Sequence, residues 1–181
     1  MWWPEMRLLP VIAIAGLLGG CFQPLYSERP ISGAGASVAQ AMRHVNVAEI
    51  KTPRGTRIDR VGFEIRNSLI YGLTGGGGEA APTHRLDIQL ASSQQQVVVD
   101  PSSGRADVSN YGIDAFYKLT DLTTGKVVLS SVTSSRVSYN IPGQQQRFAG
   151  ERGLRDAENR AAQVIAESIR NRLASYFTAG T

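Results

Sequence analysis

The stretch RLDIQL, residues 85–90, alternates apolar side chains with polar or charged ones. Because successive side chains of a strand point to opposite faces of a sheet, this alternation predicts a strand that turns Leu86, Ile88 and Leu90 towards a core. The segments on either side of it indicate which strands pair with it and which elements cover its apolar face.

Two more strands follow along the chain. The first strand pattern continues through residues 97–99 to a turn sequence, DPSSG, at residues 100–104. A second strand with one apolar face occupies residues 111–119, and a second turn follows at residues 121–125. A third strand, rich in serine and threonine, extends over residues 127–139. The turn sequences predict mostly antiparallel neighbours.

Amphipathic helices are predicted before and after these strands, because apolar residues recur there at three- and four-residue spacing. The members of the first stripe are Ile58, Val61, Ile65, Leu69 and Leu73. The members of the second stripe are Leu154, Ala157, Ala161, Ile165, Ile169, Leu173 and Tyr176. The charged residues Arg155, Glu158, Arg160, Glu167 and Arg170 lie off the second stripe.

A further strand is predicted within residues 44–50, where Val45 and Val47 share one face. The order of elements is then βαβββα. Helices with one apolar stripe and strands with one apolar face fit a single arrangement, in which the helices cover one face of the sheet. The sequence therefore predicts an α+β fold, a two-layer α/β sandwich with two helices on one face of a mostly antiparallel four-stranded sheet.

The amino-terminal segment has the pattern of a lipoprotein signal peptide. Residues 8–20 carry no charge and follow Arg7. This run is shorter than the roughly 20 apolar residues that span a bilayer, but it suits the apolar region of a secretory signal. It ends in Leu18-Gly19-Gly20-Cys21, which resembles the bacterial lipobox. We expect residues 1–20 to be removed and Cys21 to receive a lipid; the alternative is cleavage elsewhere, with Cys21 a buried free thiol.

Residues 21–42 are rich in Pro, Gly, Ser and Ala and are predicted to be a tether between the lipid and a domain at residues 43–178. Cys21 is the single cysteine of the chain, so no internal disulfide can form. Residue 22 is phenylalanine, whereas aspartate at this position commonly retains bacterial lipoproteins in the inner membrane. By this resemblance the expected location is the outer membrane.

The chain is basic, with a formal net charge of +4 and a sequence pI near 9.5. Such a charge permits acidic partners, including the phosphates and carboxylates of a lipid headgroup. The basic residues are dispersed, without the interleaved aromatic residues of an RNA-binding sheet, so nucleic acid is not an expected partner. A solvated basic surface with no ligand is the alternative.

Catalytic and metal-binding patterns are missing from the sequence. His44 and His84 are its two histidines, and no residues match zinc-ligand spacing or a Gly-x-Ser-x-Gly elbow. We therefore expect no enzymatic activity, no metal and no cofactor other than the covalent lipid on Cys21. A lipid-anchored hydrolase remains an alternative, and it requires a cleft that holds a nucleophile beside one of these histidines.

Several segments, in order along the chain, resemble the LptE family of lipopolysaccharide-assembly lipoproteins, especially its alphaproteobacterial members. The start CFQPLY at residues 21–26 is similar to CGFQPLY in that family. Further similar segments are Arg66-Asn67-x-Leu69, AFYKLTD at residues 115–121 leading to Gly125, Ser138-Tyr139-Asn140, and residues 161–177.

The resemblance implies a two-layer sandwich of two helices on a four-stranded sheet, held at the periplasmic side of the outer membrane and partly inside the lumen of the LptD β-barrel. It implies that the protein helps the barrel assemble, plugs it, and receives lipopolysaccharide for delivery to the outer leaflet. No covalent chemistry is implied. The alternative is an auxiliary lipoprotein of another envelope lipid transport system of the ABC type.

In the LptE family, basic residues near the hairpin tip and before the last helix are implicated in contact with lipopolysaccharide. Here Arg105 follows the turn at residues 100–104, and Arg147 and Arg152 flank residues 148–151. These three arginines are candidates by their neighbourhood, since a fork of N–H donors matches phosphate geometry. Solvated surface arginines are the alternative.

Overall fold

The computed structural model describes residues 37–77, 80–100, 105–141 and 147–179. Three helices and four strands occupy these ranges. In chain order they are α1 (Val38–Arg43), β1 (Val45–Val47), α2 (Arg57–Thr74), β2 (His84–Asp100), β3 (Arg105–Asp121), β4 (Val127–Asn140) and α3 (Arg147–Ala179).

The four strands form one sheet in the order β1-β2-β3-β4. The β2–β3 and β3–β4 pairs are antiparallel, with Leu86 opposite Leu119 and Tyr111 opposite Val137. Strand β1 runs parallel to β2, because α2 carries the chain back across the sheet between them. The prediction of a mostly antiparallel four-stranded sheet is confirmed.

The core lies between this sheet and the helices. Alternate strand residues are buried on the covered face, among them Leu86, Ile88, Ile113 and Leu119. Helix α3 packs on β3 and β4 and also on α2. Both predicted helical stripes face this core, through Val61, Ile65, Leu69 and Leu73 in α2 and through Leu154, Ala157, Ala161, Ile165, Ile169 and Leu173 in α3. The two-layer α/β sandwich is confirmed.

Helix α2 is delimited by local signals at both ends. The Thr56 hydroxyl accepts the backbone N–H of Asp59 at 3.3 Å, which caps the first turn. Gly75 ends the helix with φ of 66°, a left-handed conformation that glycine adopts without steric cost. These caps agree with the helix that the apolar stripe from Ile58 to Leu73 predicts.

Helix α1 was not predicted and replaces the end of the tether expected over residues 21–42. Ser37 and Gln40 form a reciprocal capping box, each side chain accepting the other residue's backbone N–H at 3.2 Å. Val38 and Met42, four residues apart, are buried. The packed domain therefore includes residues 37–42, because one helical turn suffices to bury this apolar pair. Residues 21–36, and the signal peptide expected at residues 1–20, lie outside the described residues.

In the ranges that the structure covers, no helix combines the length and hydropathy needed to cross a membrane. The same ranges contain no group of three or more His, Cys, Asp or Glu residues arranged to hold a metal ion.

Candidate anion-binding site

The strand register brings two connections to one end of the sheet. Val108 of β3 lies opposite Asn140 of β4, and Arg105 lies opposite Asp100 at the start of β3. The chain therefore leaves the sheet at the same end after β2 and after β4. Arg105 and Arg147 begin β3 and α3 there, although their side chains are outside the described part of the structure.

A cavity of about 310 Å³ lies beside this end, between the first turn of α2 and roughly the first three turns of α3. Its lining comes from Arg57 and Arg60 of α2 and from Phe148, Glu151, Arg152, Arg155 and Glu158 of α3. The α3 residues follow three- and four-residue spacing, so they share one helical face. Four arginines against two glutamates leave an excess of positive charge; we call this the basic cavity.

Of the sequence-predicted arginines, the structure places Arg152 in the basic cavity. Sequence reasoning missed Arg57, Arg60 and Arg155. The spacing of residues 148, 151, 152 and 155 is a local signal that could have identified the α3 side of the cavity. The α2 side depends on contact between helices nearly 100 residues apart, which no local pattern reports.

A buried ion pair forms the inner wall of the basic cavity. The Glu158 side chain is 2% exposed, and Arg60 donates to its carboxylate from Nη2. Arg60 also donates from Nη1 to the Asn159 side-chain oxygen at 2.9 Å. The second carboxylate oxygen of Glu158 has no hydrogen-bond partner among the described residues. The sequence pattern places Glu158 off the apolar stripe of its helix, yet it is buried because the arginine from α2 neutralises its charge.

Tyr111 of β3 lies close enough to Arg60 and Glu158 for their charges to act on its phenol. Its burial, and next the nearby Glu158 carboxylate, raise the pKa of its phenol above the ordinary value. The phenol therefore stays neutral at physiological pH and adds no negative charge near the arginines.

A second ion pair stands at the outer part of the basic cavity. Arg57 Nη2 donates to both carboxylate oxygens of Glu151, at 3.2 Å and 2.9 Å. The two side chains are 56% and 66% exposed, so solvent screens their attraction. Both members of this pair are accessible, whereas in the Arg60–Glu158 pair the carboxylate is enclosed and the arginine is 33% exposed.

Arg152 and Arg155 are exposed, and neither forms an ion pair with a carboxylate in the part of the chain that the structure describes. Phe148 stands at the rim of the cavity with 86% of its surface exposed. Guanidinium groups bind phosphate and carboxylate oxygens through paired hydrogen bonds. The arrangement is therefore suited to an anionic group, with an apolar surface beside it.

Both histidines make contacts within the fold. His44 Nδ1 lies 2.7 Å from the Ala81 carbonyl oxygen, and His84 Nδ1 lies 2.8 Å from the Thr83 hydroxyl. The His84 ring packs edge-on against Phe177 at a centroid distance of 5.3 Å. Burial lowers the pKa of His84, against a smaller opposing effect of Asp121.

Asp121, the carboxylate that acts on the pKa of His84, is engaged in hydrogen bonds within its own turn. The Asp121 carboxylate accepts the Thr123 backbone N–H and the Thr124 hydroxyl, both at 2.8 Å, so it serves its own turn. These hydrogen bonds, the one from Thr123 first, lower the pKa of Asp121. Neither histidine lines the basic cavity.

Comparison with protein families gives one match: a family described as LptE, lipopolysaccharide-assembly, over residues 42–173. The matched segment begins near the end of α1 and ends within α3. A search of curated protein sequences found no match.

Several solved lipoprotein structures share the fold. A candidate lipoprotein from Caulobacter crescentus superposes with a TM-score of 0.61 at 19% identity, covering 81% of this chain and 98% of that one. Lipoprotein B from Nitrosomonas europaea has a TM-score of 0.52 at 13% identity, covering 75% and 84%. Rare lipoprotein B from Shewanella oneidensis has a TM-score of 0.50 at 13% identity, covering 72% and 92%. At these identities the similarity concerns the fold.

Proposed function

The chain belongs to the LptE family of lipopolysaccharide-assembly proteins, and from this premise we propose that it is an outer-membrane lipoprotein that assembles with and plugs the LptD β-barrel. In this role it binds lipopolysaccharide and passes it on for insertion into the outer leaflet. The family match, which spans most of the described domain, is the observation that carries the proposal. The protein then acts by binding, without a catalytic step.

The proposed anchor is a lipid on Cys21, which lies outside the described residues. Each buried methylene of an acyl chain contributes about 0.8 kcal/mol to membrane binding, and a single chain binds marginally. Several chains on one cysteine would hold the domain on the periplasmic side of the outer membrane. The tether and the domain then reach the barrel lumen from that membrane surface.

The proposed contact with the barrel uses the sheet face that the helices leave uncovered. Exposed polar residues dominate this face, among them Gln89, Ser93, Gln95, Ser130, Ser134 and Ser138. Barrel interiors are polar, so such side chains suit hydrogen bonding to a lumen wall. Phe116 and Val132 lie opposite each other on β3 and β4 and are 52% and 56% exposed, so they offer an apolar centre for the contact.

The proposed lipid contact is the basic cavity, where Arg152 and Arg155 are available to the phosphates of the lipopolysaccharide headgroup. Arg105 and Arg147 begin elements at the same end of the domain, and we propose that they extend this basic surface. Phosphate recognition by arginine combines charge with paired hydrogen bonds. The exposed Phe148 adds an apolar surface beside the anionic group.

Partner capture tests the barrel assignment. We expect the tagged full-length chain, extracted from outer membranes in detergent, to co-purify with a large β-barrel identified by mass spectrometry. Phe116→Glu should reduce recovery of the barrel about tenfold, because a charge would enter an apolar contact. Phe63→Glu is the matched control, since Phe63 is 56% exposed but lies on α2 in the other layer.

The identity of the captured partner decides between the proposed function and its alternative. Recovery of an inner-membrane ATPase complex in place of the barrel would favour the auxiliary lipoprotein of another lipid transporter. Recovery of the chain alone, with normal surface lipopolysaccharide after its depletion, would contradict the proposal.

Charge reversal tests the lipid assignment. The variant Arg152→Glu/Arg155→Glu should bind fluorescent lipopolysaccharide about tenfold more weakly at low salt, with a smaller difference at high salt because ions screen exposed charges. Arg172→Glu is the control: it is exposed on the same helix but about 25 Å from Arg155, beyond the Debye length. Charge reversal at Arg105 and at Arg147 completes the series. Equal binding by the double variant and the control would remove the basic cavity from the proposal.

A further inference from the structure

The two ion pairs of the basic cavity differ in how easily the arginine can leave its glutamate for another anion. Arg60 neutralises a carboxylate that is 2% exposed, so withdrawing this arginine would leave a buried charge without compensation. Arg57 and Glu151 are both more than half exposed, and solvent can replace either partner. Of the two paired arginines in the cavity, Arg57 is therefore the one that an incoming anion can bind in place of the glutamate.

The geometry of the outer pair resembles that of a bound anion. Both carboxylate oxygens of Glu151 accept from Arg57, at 3.2 Å and 2.9 Å. A phosphate also presents several oxygens to a guanidinium, in the same range of distances. Glu151 itself lines the cavity, so its carboxylate lies where a ligand phosphate would meet Arg57.

We propose that Glu151 is a built-in competitor for the anion site: its carboxylate holds Arg57 in the free protein, and the headgroup phosphate of the bound lipid displaces it. This inference rests on the proposed function. The incoming phosphate first meets Arg152 and Arg155, and it gains Arg57 when Glu151 swings away. Arg60 stays with Glu158 throughout. The competition lowers affinity, which favours release of the lipid by a protein that passes it on.

The inference predicts that removing the competitor strengthens binding. Full-length Glu151→Gln should bind fluorescent lipopolysaccharide about threefold to fivefold more tightly at low salt, the range expected for releasing one exposed ion pair. The gain should shrink at high salt. Glu167→Gln removes the same charge from an exposed position of α3 remote from the cavity and should bind like the unaltered protein.

A conservative variant separates direct competition from general repulsion. Glu151→Asp keeps the charge but shortens the side chain by one methylene, which draws the carboxylate back from Arg57 and weakens their hydrogen bonds. We expect it to bind about twofold more tightly than the unaltered protein. Inorganic pyrophosphate should displace the lipopolysaccharide from each variant, since the site recognises phosphate.

The outcomes distinguish this inference from the proposed function. If Glu151→Gln binds no more tightly than Glu167→Gln, or Glu151→Asp equals the unaltered protein, the competitor role is wrong while lipid binding stands. Failure of pyrophosphate to compete would overturn phosphate as the displacing group. If the unaltered protein binds no lipopolysaccharide at any salt concentration, the proposed function itself fails.

Discussion

A Cys21→Ser chain is expected to incorporate no labelled palmitate, to retain residues 1–20 and to be lost from the outer membrane fraction. The thiol is the group that receives the lipid in lipobox chemistry, and processing after Gly20 follows that modification. Without acyl chains, the membrane loses the methylene burial that would hold the protein, about 0.8 kcal/mol for each group. Palmitate labelling followed by membrane fractionation measures both effects.

The domain of the Cys21→Ser variant should still fold, since the described core begins at Ser37 and contains no cysteine. Phe22→Ala is the matched control, because it alters the neighbouring side chain and keeps the thiol. It should label like the unaltered chain. Undiminished labelling of Cys21→Ser would show that the lipid is attached elsewhere or that the lipobox interpretation is wrong.

Arg60→Ala is expected to lower the free energy of unfolding by about 3 kcal/mol. Removing one partner of a buried ion pair costs about 3–5 kcal/mol because the other charge is left uncompensated. The lower end applies, since the Arg60 side chain is 33% exposed and water can partly replace it. For a domain of this size the midpoint of thermal unfolding should fall by about 10 °C. Urea and thermal unfolding followed by circular dichroism measure the change.

Arg57→Ala provides the control for Arg60→Ala. It removes an arginine one helical turn away whose partner is exposed, and such pairs contribute about 0–1 kcal/mol. The double variant Arg60→Leu/Glu158→Leu should recover most of the lost stability, because an apolar pair of similar volume needs no compensation. If Arg60→Ala costs no more than Arg57→Ala, the Arg60–Glu158 pair does not stabilise the fold.

The elements of this fold were predictable because their signals are local. The alternation in residues 85–90 reports one buried face of a strand, and the stripes around Ile65 and Ile165 report one buried face of each helix. Once each element has a single apolar face, few arrangements can bury all of them. Helix α1 was not predicted because it is short and its apolar pattern consists of a single pair, Val38 and Met42, one helical turn apart.

The candidate site was predictable in part. Arg152 was identified from its position ahead of the predicted helical stripe that begins at Leu154, and the structure places it inside α3, which begins at Arg147. Arg57, Arg60 and Arg155 were not identified. A surface arginine and a cavity arginine have the same sequence pattern, since both lie off the apolar stripe. Only packing determines which of them face one another across two helices.

Neighbouring residues alone were enough to predict the four strands, the two long helices, their apolar faces and the resemblance to the LptE family, because periodicity and short motifs are local. The pairing of Arg60 with the buried Glu158, 98 residues away, and of Arg57 with Glu151 became visible only in the folded chain. Burial and charge neutralisation depend on which surfaces pack together, and here they are set by the packing of α2 against α3, two helices that are far apart in the sequence.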